Sequence, residues 1–411
     1  MAVIVAVSKG YKPLILDHDQ RTNLNTNHLR NSYLTKSSNF GGLSNIWGGA
    51  ISKIDTNLNK YCLNKKKLNK FYKIIDNFFN QLGKNDQYSK YFSLKKNIIK
   101  NNQVTLKVAD HRSLIFGSSR IALSNNKIFS TKNILLSLLK KRKIEIKRKF
   151  EVIKLIEKEN KIFIYSSNNK VETCHKVFLG AGAYNSAKII MNSNLNINKV
   201  LLKENTISYG IVIFKKKIHF KENNPYCDYF LTKIGKNNYH NQIYFLKDEF
   251  LNKIKKNSYF YYIILKILKK IFKNRLVIIL NYMNMNISNK ILINKNGNFG
   301  NLEKKLYKKD YYTKIKNDIS KVFKNYKPYF IFFKEGNFGE SNHYGSSFPI
   351  TKNNKFRYES DMLGRIKYCK NIHIIDSSSL PILPTNTITY TLMAHSARIT
   401  ENSLNLFKKK N

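Results

Sequence analysis

Ala2–Asp17, AVIVAVSKGYKPLILD, is the stretch that sets the fold class. Lys12–Leu16 (KPLIL) reads as a short buried strand that ends at Asp17. Gly10 stands before it, where a helix C-terminus takes a residue with positive φ. Ala2–Lys9 is then the tail of a helix, although its valines alone would permit a strand. Helix, glycine, strand and acid in that order form the second half of a dinucleotide-binding βαβ unit, in which the acid accepts hydrogen bonds from ribose hydroxyls. The glycine fingerprint of that unit stands about 20 residues before the acid. Counting back that far from Asp17 passes Met1. The expectation is that the first strand and its glycine loop are missing from this sequence, or never existed in it.

The same grammar returns later. Lys176–Leu179 is an apolar strand that runs through Gly180-Ala181-Gly182-Ala183 into the helix Asn185–Met191, an order that presents backbone N–H groups to an anion. Between the two units lies Asn39–Ala50, NFGGLSNIWGGA. There Gly41, Gly42, Gly48 and Gly49 surround Ser44, Asn45 and Trp47, the single tryptophan. Paired glycines let a backbone approach a ligand closely, although an ordinary turn has the same composition. Residues 55–105 read as helical and polar, with apolar spacings near 3.6 in Lys60–Leu82. Thr131–Lys141 reads as a helix capped by Ser130 or Thr131. Ile144–Arg148, Phe150–Lys158 and Lys161–Ser166 read as strands. Residues 200–330 hold strand-like runs (Ile207–Phe214, Asn241–Phe245, Leu276–Met283, Lys290–Ile293) and no chemical motif.

Special-backbone residues are dense again near the C-terminus. Gly336–Pro349 (GNFGESNHYGSSFP) is a polar loop around His343, and Asn371–Asp376 (NIHIID) is a strand ending in an acid. Ser377–Thr387 (SSSLPILPTNT) is a turn with two prolines, followed by a helix over Ile388–Leu406.

Composition narrows the function. The chain of 411 residues is 42% hydrophobic, enough for two packed domains and too much for wholesale disorder. Its 74 basic and 25 acidic residues give a net charge of +49. Only ten of the 74 are Arg, and the Lys are mixed with Asn and Ile throughout, as A- and T-rich codons specify. A nucleic-acid surface favours Arg forks and concentrates charge on one face, so no specific nucleic-acid partner is expected. Cys62, Cys174, Cys227 and Cys369 form no CxxC, which fits a reducing, cytoplasmic setting without disulfides or zinc. The apolar start Met1–Val7 is too short for a signal peptide and no apolar run is long enough to span a bilayer. Tyr259–Phe272, YFYYIILKILKKIF, reads as a helix packed on its own domain, with a peripheral membrane contact as the alternative.

Nucleophilic catalysis finds no support. There is no G-x-S-x-G, and Cys174 and His175 are strand neighbours that point to opposite faces. No metal-ligand spacing appears. His18, His28, His111, His175, His219 and His240 sit in polar surroundings and read as surface residues. His343 differs, standing in a Gly/Ser-rich loop just before a proline. A dinucleotide-type acid, two glycine turns and a late loop histidine together favour a flavin or nicotinamide enzyme.

These residues carry a family resemblance. Asn342–Ile399, with N-H-Y-G, D-M-L-G-R, N-I-H-I-I-D-S-S-S-L-P and T-L-M-A-H-S-A-R-I, resembles the C-terminal signature of the glucose–methanol–choline flavoprotein oxidoreductases. Gly41–Gly49 (GGLSNIWGG) is similar to that family's flavin loop, and Val177–Ile190 to its strand–AGA–helix segment. The resemblance implies an α/β fold with an FAD-binding domain of the glutathione-reductase type over 1–199. It also implies a sheet-based substrate domain over 200–335 and a C-terminal segment, 336–411, that returns to the cofactor. Asp17 would hold the adenosine ribose, and Gly41, Gly42, Ser44 and Asn45 would line the flavin. Val152 would meet the adenine, Ala181 and Gly182 would pass near FAD, and Asp376 would approach the pyrophosphate or ribityl chain.

His343 matches the catalytic histidine, which takes a hydroxyl proton as the carbinol hydride moves to the flavin. The second catalytic position falls on Asn386 or Thr387. The implied partners are an alcohol or sugar substrate and an electron acceptor that the resemblance does not specify. The family's G-x-G-x-x-G is absent from the sequence, so weak FAD retention is expected, and a catalytically silent relative stays open as an alternative. A basic protein that binds nucleic acid or anionic membrane stays open as another.

Overall fold

The computed structural model describes residues 1–18, 39–45, 47–51, 65–84, 114–118, 120–121, 123–124, 127–193, 195–218, 227–233, 238–296, 309–353 and 356–408. His28, Cys62, His111 and His219 lie outside them, as does the helical reading of 55–105 except for residues 65–84.

In chain order the first elements are α1 (Ala2–Ser8), β1 (Leu14–Leu16), α2 (Lys65–Lys84), β2 (Leu114–Ser118) and α3 (Thr131–Lys140). Then follow β3 (Glu145–Lys147), β4 (Val152–Lys158), β5 (Lys161–Ser166), β6 (Val171–Cys174), β7 (Val177–Leu179) and α4 (Ala183–Asn192). The middle runs β8 (Lys199–Glu204), β9 (Ile207–Phe214), β10 (Tyr229–Lys233), β11 (Tyr239–Phe245), α5 (Asp248–Asn257), α6 (Tyr259–Phe272) and β12 (Leu276–Met283). The remainder is β13 (Lys290–Asn294), α7 (Lys309–Val322), β14 (Pro328–Glu335), β15 (Tyr344–Gly345), β16 (Ile372–Ile374) and α8 (Ile388–Lys408). The protein is a mixed α/β chain.

Parallel pairing joins β1 to β3 and β7 to β16. Gly10, at φ 85°, closes the end of α1 and turns the chain into β1. Strands β4, β5 and β6 form an antiparallel sheet, and a second small sheet has the order β13–β8–β15. One core gathers Leu155, Ile162, Ala187, Ile190, Leu202, Ile291, Phe348 and Ile374 from these pieces. A second core packs α1 and α2 against α8, where Tyr72 stacks on Tyr390 with ring centroids 4.8 Å apart.

The six-stranded sheet has the order β14–β9–β12–β11–β10–β2, antiparallel throughout. Its central strands ISYGIVIF and LVIILNYM are apolar almost end to end because helices cover both faces. Alternation divides them: Val212, Phe214, Val277 and Ile279 pack under α7, whereas Ile213, Leu276 and Ile278 pack with Leu265 and Leu268 of α6. The sheet and the small cores do not follow the sequence boundaries at 199 and 335. Strand β2 joins the six-stranded sheet, while β8 and β13 return to the core that holds α4.

Candidate functional site

Glu204, at the end of β8, is fully buried and organises the loop that carries His343. Its carboxylate accepts from Thr206 Oγ1 at 3.1 Å, Gly339 N–H at 2.9 Å and Ser341 Oγ at 3.4 Å. Ser341 Oγ in turn accepts the His343 N–H at 3.1 Å, and the His343 carbonyl accepts the Asn205 N–H at 2.9 Å. A buried carboxylate is tolerated only when its lone pairs are used, and here they tie β8 to residues 339–341. The histidine is thereby fixed from both sides of its own backbone.

The imidazole of His343 stacks on Tyr282, ring centroids 4.4 Å apart and 19° between planes. Burial lowers its pKa to about 4. Its Nδ1 is buried and has no hydrogen-bond partner, and so is the side-chain oxygen of neighbouring Asn205. Beyond Tyr282 the rings continue across the sheet through His240 to Phe230, with centroids 6.4 Å and 5.9 Å apart. His240 is 2% exposed, lies within electrostatic reach of His343 and has its pKa lowered to about 3 by burial. Its Nδ1 lies 2.8 Å from Thr232 Oγ1. The surface reading of His240 is therefore corrected. Its polar neighbours in sequence, Asn241 and Gln242, are buried with it, on a strand in the interior of the six-stranded sheet.

Two residues beyond His343 the chain meets the turn after β16. Ser346 N–H donates to the Ser377 carbonyl at 2.8 Å, and Ser377 Oγ donates to the Tyr344 carbonyl at 2.8 Å. A Cβ on Gly345 would stand 2.3 Å from that Ser377 oxygen, so only glycine permits this approach. Asp376, next in line, accepts from Ser186 Oγ, from Ser378 N–H at 2.9 Å and from the Gly182 backbone. The structure thus brings Asp376 and Gly182 together at the N-terminus of α4, with Ala181 in the adjoining turn. Burial raises the Asp376 pKa against these hydrogen bonds, which lower it. Asp376→Ala should cost about 2 kcal/mol or more, because buried donors lose their acceptor, while Asp376→Asn keeps an acceptor and loses less. Urea denaturation at neutral pH measures the difference, and equal losses in the two variants would contradict it.

The glycine-rich loop packs against the start of α3. Ser44 Oγ donates to the Gly41 carbonyl at 2.7 Å and lies 2.7 Å from Thr131 Oγ1. Asn45 Nδ2 donates to Phe40 and Gly42 carbonyls at 3.0 and 3.1 Å, and its oxygen accepts from Ser130. These side chains, with the carbonyls of Phe40, Gly41 and Gly42, hold the loop to itself and to α3. Gly41 and Gly42 both have positive φ, 92° and 60°. Asp17 follows the carboxyl end of β1, its N–H donating to Lys147 at 3.0 Å. Val152 opens β4 at a shift of register against β5. Asn386 and Thr387 are both buried, directly before α8. Among the described residues, no group of three or more His, Cys, Asp or Glu is placed to hold a metal.

The sequence reading missed His240, Tyr282 and Glu204. In the sequence Glu204 is marked only by its place in the alternation of KVLLKE, where it falls on the same side as Val200 and Leu202. No protein-family model matches this chain, and no curated protein matches it either.

Proposed function

We propose that this protein is an FAD-dependent oxidoreductase acting on the CH–OH group of an alcohol or sugar, with His343 as the base. The observation that carries this reading is His343 itself. It is a neutral imidazole held by its own backbone and stacked on Tyr282, with a ring nitrogen, Nδ1, that has no hydrogen-bond partner. A positioned base with a pKa below neutrality is in its accepting form at pH 7.

The residues present fit a flavin dinucleotide. Gly42 and Gly182 have open space where a Cβ would stand, and Gly182 begins a helix whose N–H groups favour an anion. Asp17 at the carboxyl end of a parallel strand suits a ribose. Asp376 already brings negative charge to the α4 N-terminus, so repulsion assigns it to the hydroxyl-bearing ribityl chain rather than the pyrophosphate. Gly41, Gly42 and the backbone around Ser44 and Asn45 would line the ring, and Val152 the adenine. Bound FAD supplies the hydride acceptor that no protein side chain can be.

His343 takes the hydroxyl proton. With no partner fixing Nδ1, either tautomer is open, and the bare nitrogen receives the proton as the carbinol C–H bond breaks. Asn386 or Thr387 would donate a hydrogen bond to the developing alkoxide, and Asn205 would orient a second substrate hydroxyl. Tyr282 shields one face of the imidazole from water.

Adding FAD to the purified protein should quench flavin fluorescence, raise the melting temperature and give an absorption band that alcohols or sugars bleach without air. Asp17→Ala should weaken that binding by roughly tenfold, the scale of a lost charge-assisted hydrogen bond. Absence of any FAD-dependent shift in fluorescence and melting would overturn the cofactor assignment.

A further inference from the structure

We propose that the outward face of α6 docks this protein on an anionic lipid bilayer. The proposal stands apart from the oxidoreductase reading, since it uses none of the residues assigned to that site.

Helix α6 is apolar on two opposite sides. Inward, Tyr262, Leu265, Leu268 and Phe272 pack on the six-stranded sheet. Outward, Phe260 is 68% exposed, Ile267 54% and Ile271 58%, with Tyr259 and Ile263 beside them. Sequence alone allows this helix to be apolar because it is buried. The structure shows that packing on its own domain uses only one side. Water-facing isoleucines on successive turns of one helix form a stripe, not scattered exposure.

The exposed surface continues past the helix. On edge strand β14, Phe330 and Phe332 are exposed and lie in register with Ile213 and Ile211, on the sheet face that α6 covers. Tyr261 lies within electrostatic reach of Tyr209, which is also exposed and next to that edge.

Charge selects the occupant. Lys266, Lys270 and Lys273 are exposed on or just after α6, and Lys255 of α5 is exposed beside it. Lys255 and Lys266 hold their ammonium groups over the Tyr262 ring, 5.4 and 5.6 Å from the centroid. Apolar stripe, flanking exposed lysines and tyrosines at one end make up the pattern of a helix lying in a lipid headgroup layer. Within α6 no acid opposes an anionic surface, and Asp248 before it is paired with Lys269 at 2.8 Å. The 14 residues of α6 span about 21 Å, short of a hydrocarbon core of about 30 Å, so the helix lies on the bilayer rather than across it. Among the described residues no helix is long and apolar enough to cross a membrane.

The test is co-sedimentation of the full chain with phosphatidylcholine vesicles, with and without about one-third phosphatidylglycerol. The parent should partition to the anionic vesicles. Phe260→Ser/Ile267→Ser/Ile271→Ser should lose roughly tenfold or more of that partition, with an unchanged circular dichroism spectrum, because these side chains support no core. Adhesion through the +49 net charge alone would leave the triple variant bound like the parent, and that result overturns the proposal. A Phe260→Trp variant gives an independent readout, a blue shift of indole emission on adding anionic vesicles. Sedimentation velocity without lipid covers the other occupant. A dimer that the triple substitution dissociates would assign the face to a second copy and also overturn it.

Discussion

His343→Ala should slow flavin reduction by alcohol by about 10²-fold or more, the scale for losing a positioned general base. FAD affinity should hardly change, because the ring stacks on Tyr282 of the six-stranded sheet and, among the described residues, makes no hydrogen bond to the glycine turns. Anaerobic stopped-flow bleaching isolates this step from whichever acceptor follows. Truncating the imidazole removes the Tyr282 stack as well, so His343→Gln, which keeps bulk and polarity, separates packing from proton transfer. Both variants should be slow. Above about pH 5 the parent rate should lose its dependence on this group, since burial holds the imidazole pKa at about 4. Asn386→Ala and Thr387→Val then decide the second position, because only the group that touches the alkoxide should slow reduction strongly. If His343→Gln is reduced as fast as the parent, the base is elsewhere.

Glu204 gives this reading a second, indirect check. Its carboxylate acts on the histidine through Ser341 and Gly339, so it is a positioning residue. A change there disturbs where His343 sits rather than what it is.

Elements bounded by strong local signals were legible in the sequence. Ile207–Phe214, Leu276–Met283 and Tyr259–Phe272 agree with the structure end to end, because each is an apolar run closed by polar or lysine-rich residues. Ser130 caps α3 by accepting the Lys132 N–H, and Gly10 has the positive φ its place demands. What escaped was set by partners far away in sequence. Strand β6, VETC, has no apolar run and exists because it pairs with β5. His240 and Tyr282 come together because β11 and β12 are neighbours in that register. No window of either strand contains that information. Of the candidate site, the glycine turns, Asp376 and His343 were singled out by local composition, and their proposed roles by the family resemblance. The ring row and the Glu204 network were not. The outward face of α6 was ambiguous for a different reason: a helix apolar on two sides has the same sequence whether its second side meets protein or lipid.

Acid should destabilise the fold before it protonates most carboxylates. His373, His395 and His240 are at most 2% exposed, and burial lowers the pKa of each, to about 4 for His373 and about 3 for His240. His373 shows why. Its Nδ1 lies 2.8 Å from the Leu363 carbonyl, while Nε2 lies 2.9 Å from Ser403 Oγ and 3.3 Å from the Lys176 ammonium. A proton on Nε2 would face that cation. In the unfolded chain each histidine titrates near 6.5, so below that pH the unfolded state binds more protons than the folded one. Stability from these groups is therefore complete above about pH 6.5 and is lost as pH falls towards the folded values, at about 2 kcal/mol each for His373 and His240 by about pH 5. Asp376 works the other way: its raised pKa means that protonation favours the folded state and offsets part of the loss at the acid end. These three and His343, lowered to about 4 by burial in the same way, outweigh one acid, so the unfolding free energy should fall by several kcal/mol between neutrality and about pH 5. Urea denaturation across that range measures it, and His373→Gln should remove one histidine's share of the slope. A stability that stays level, or rises, on acidification would mean that these rings are not held neutral by the fold.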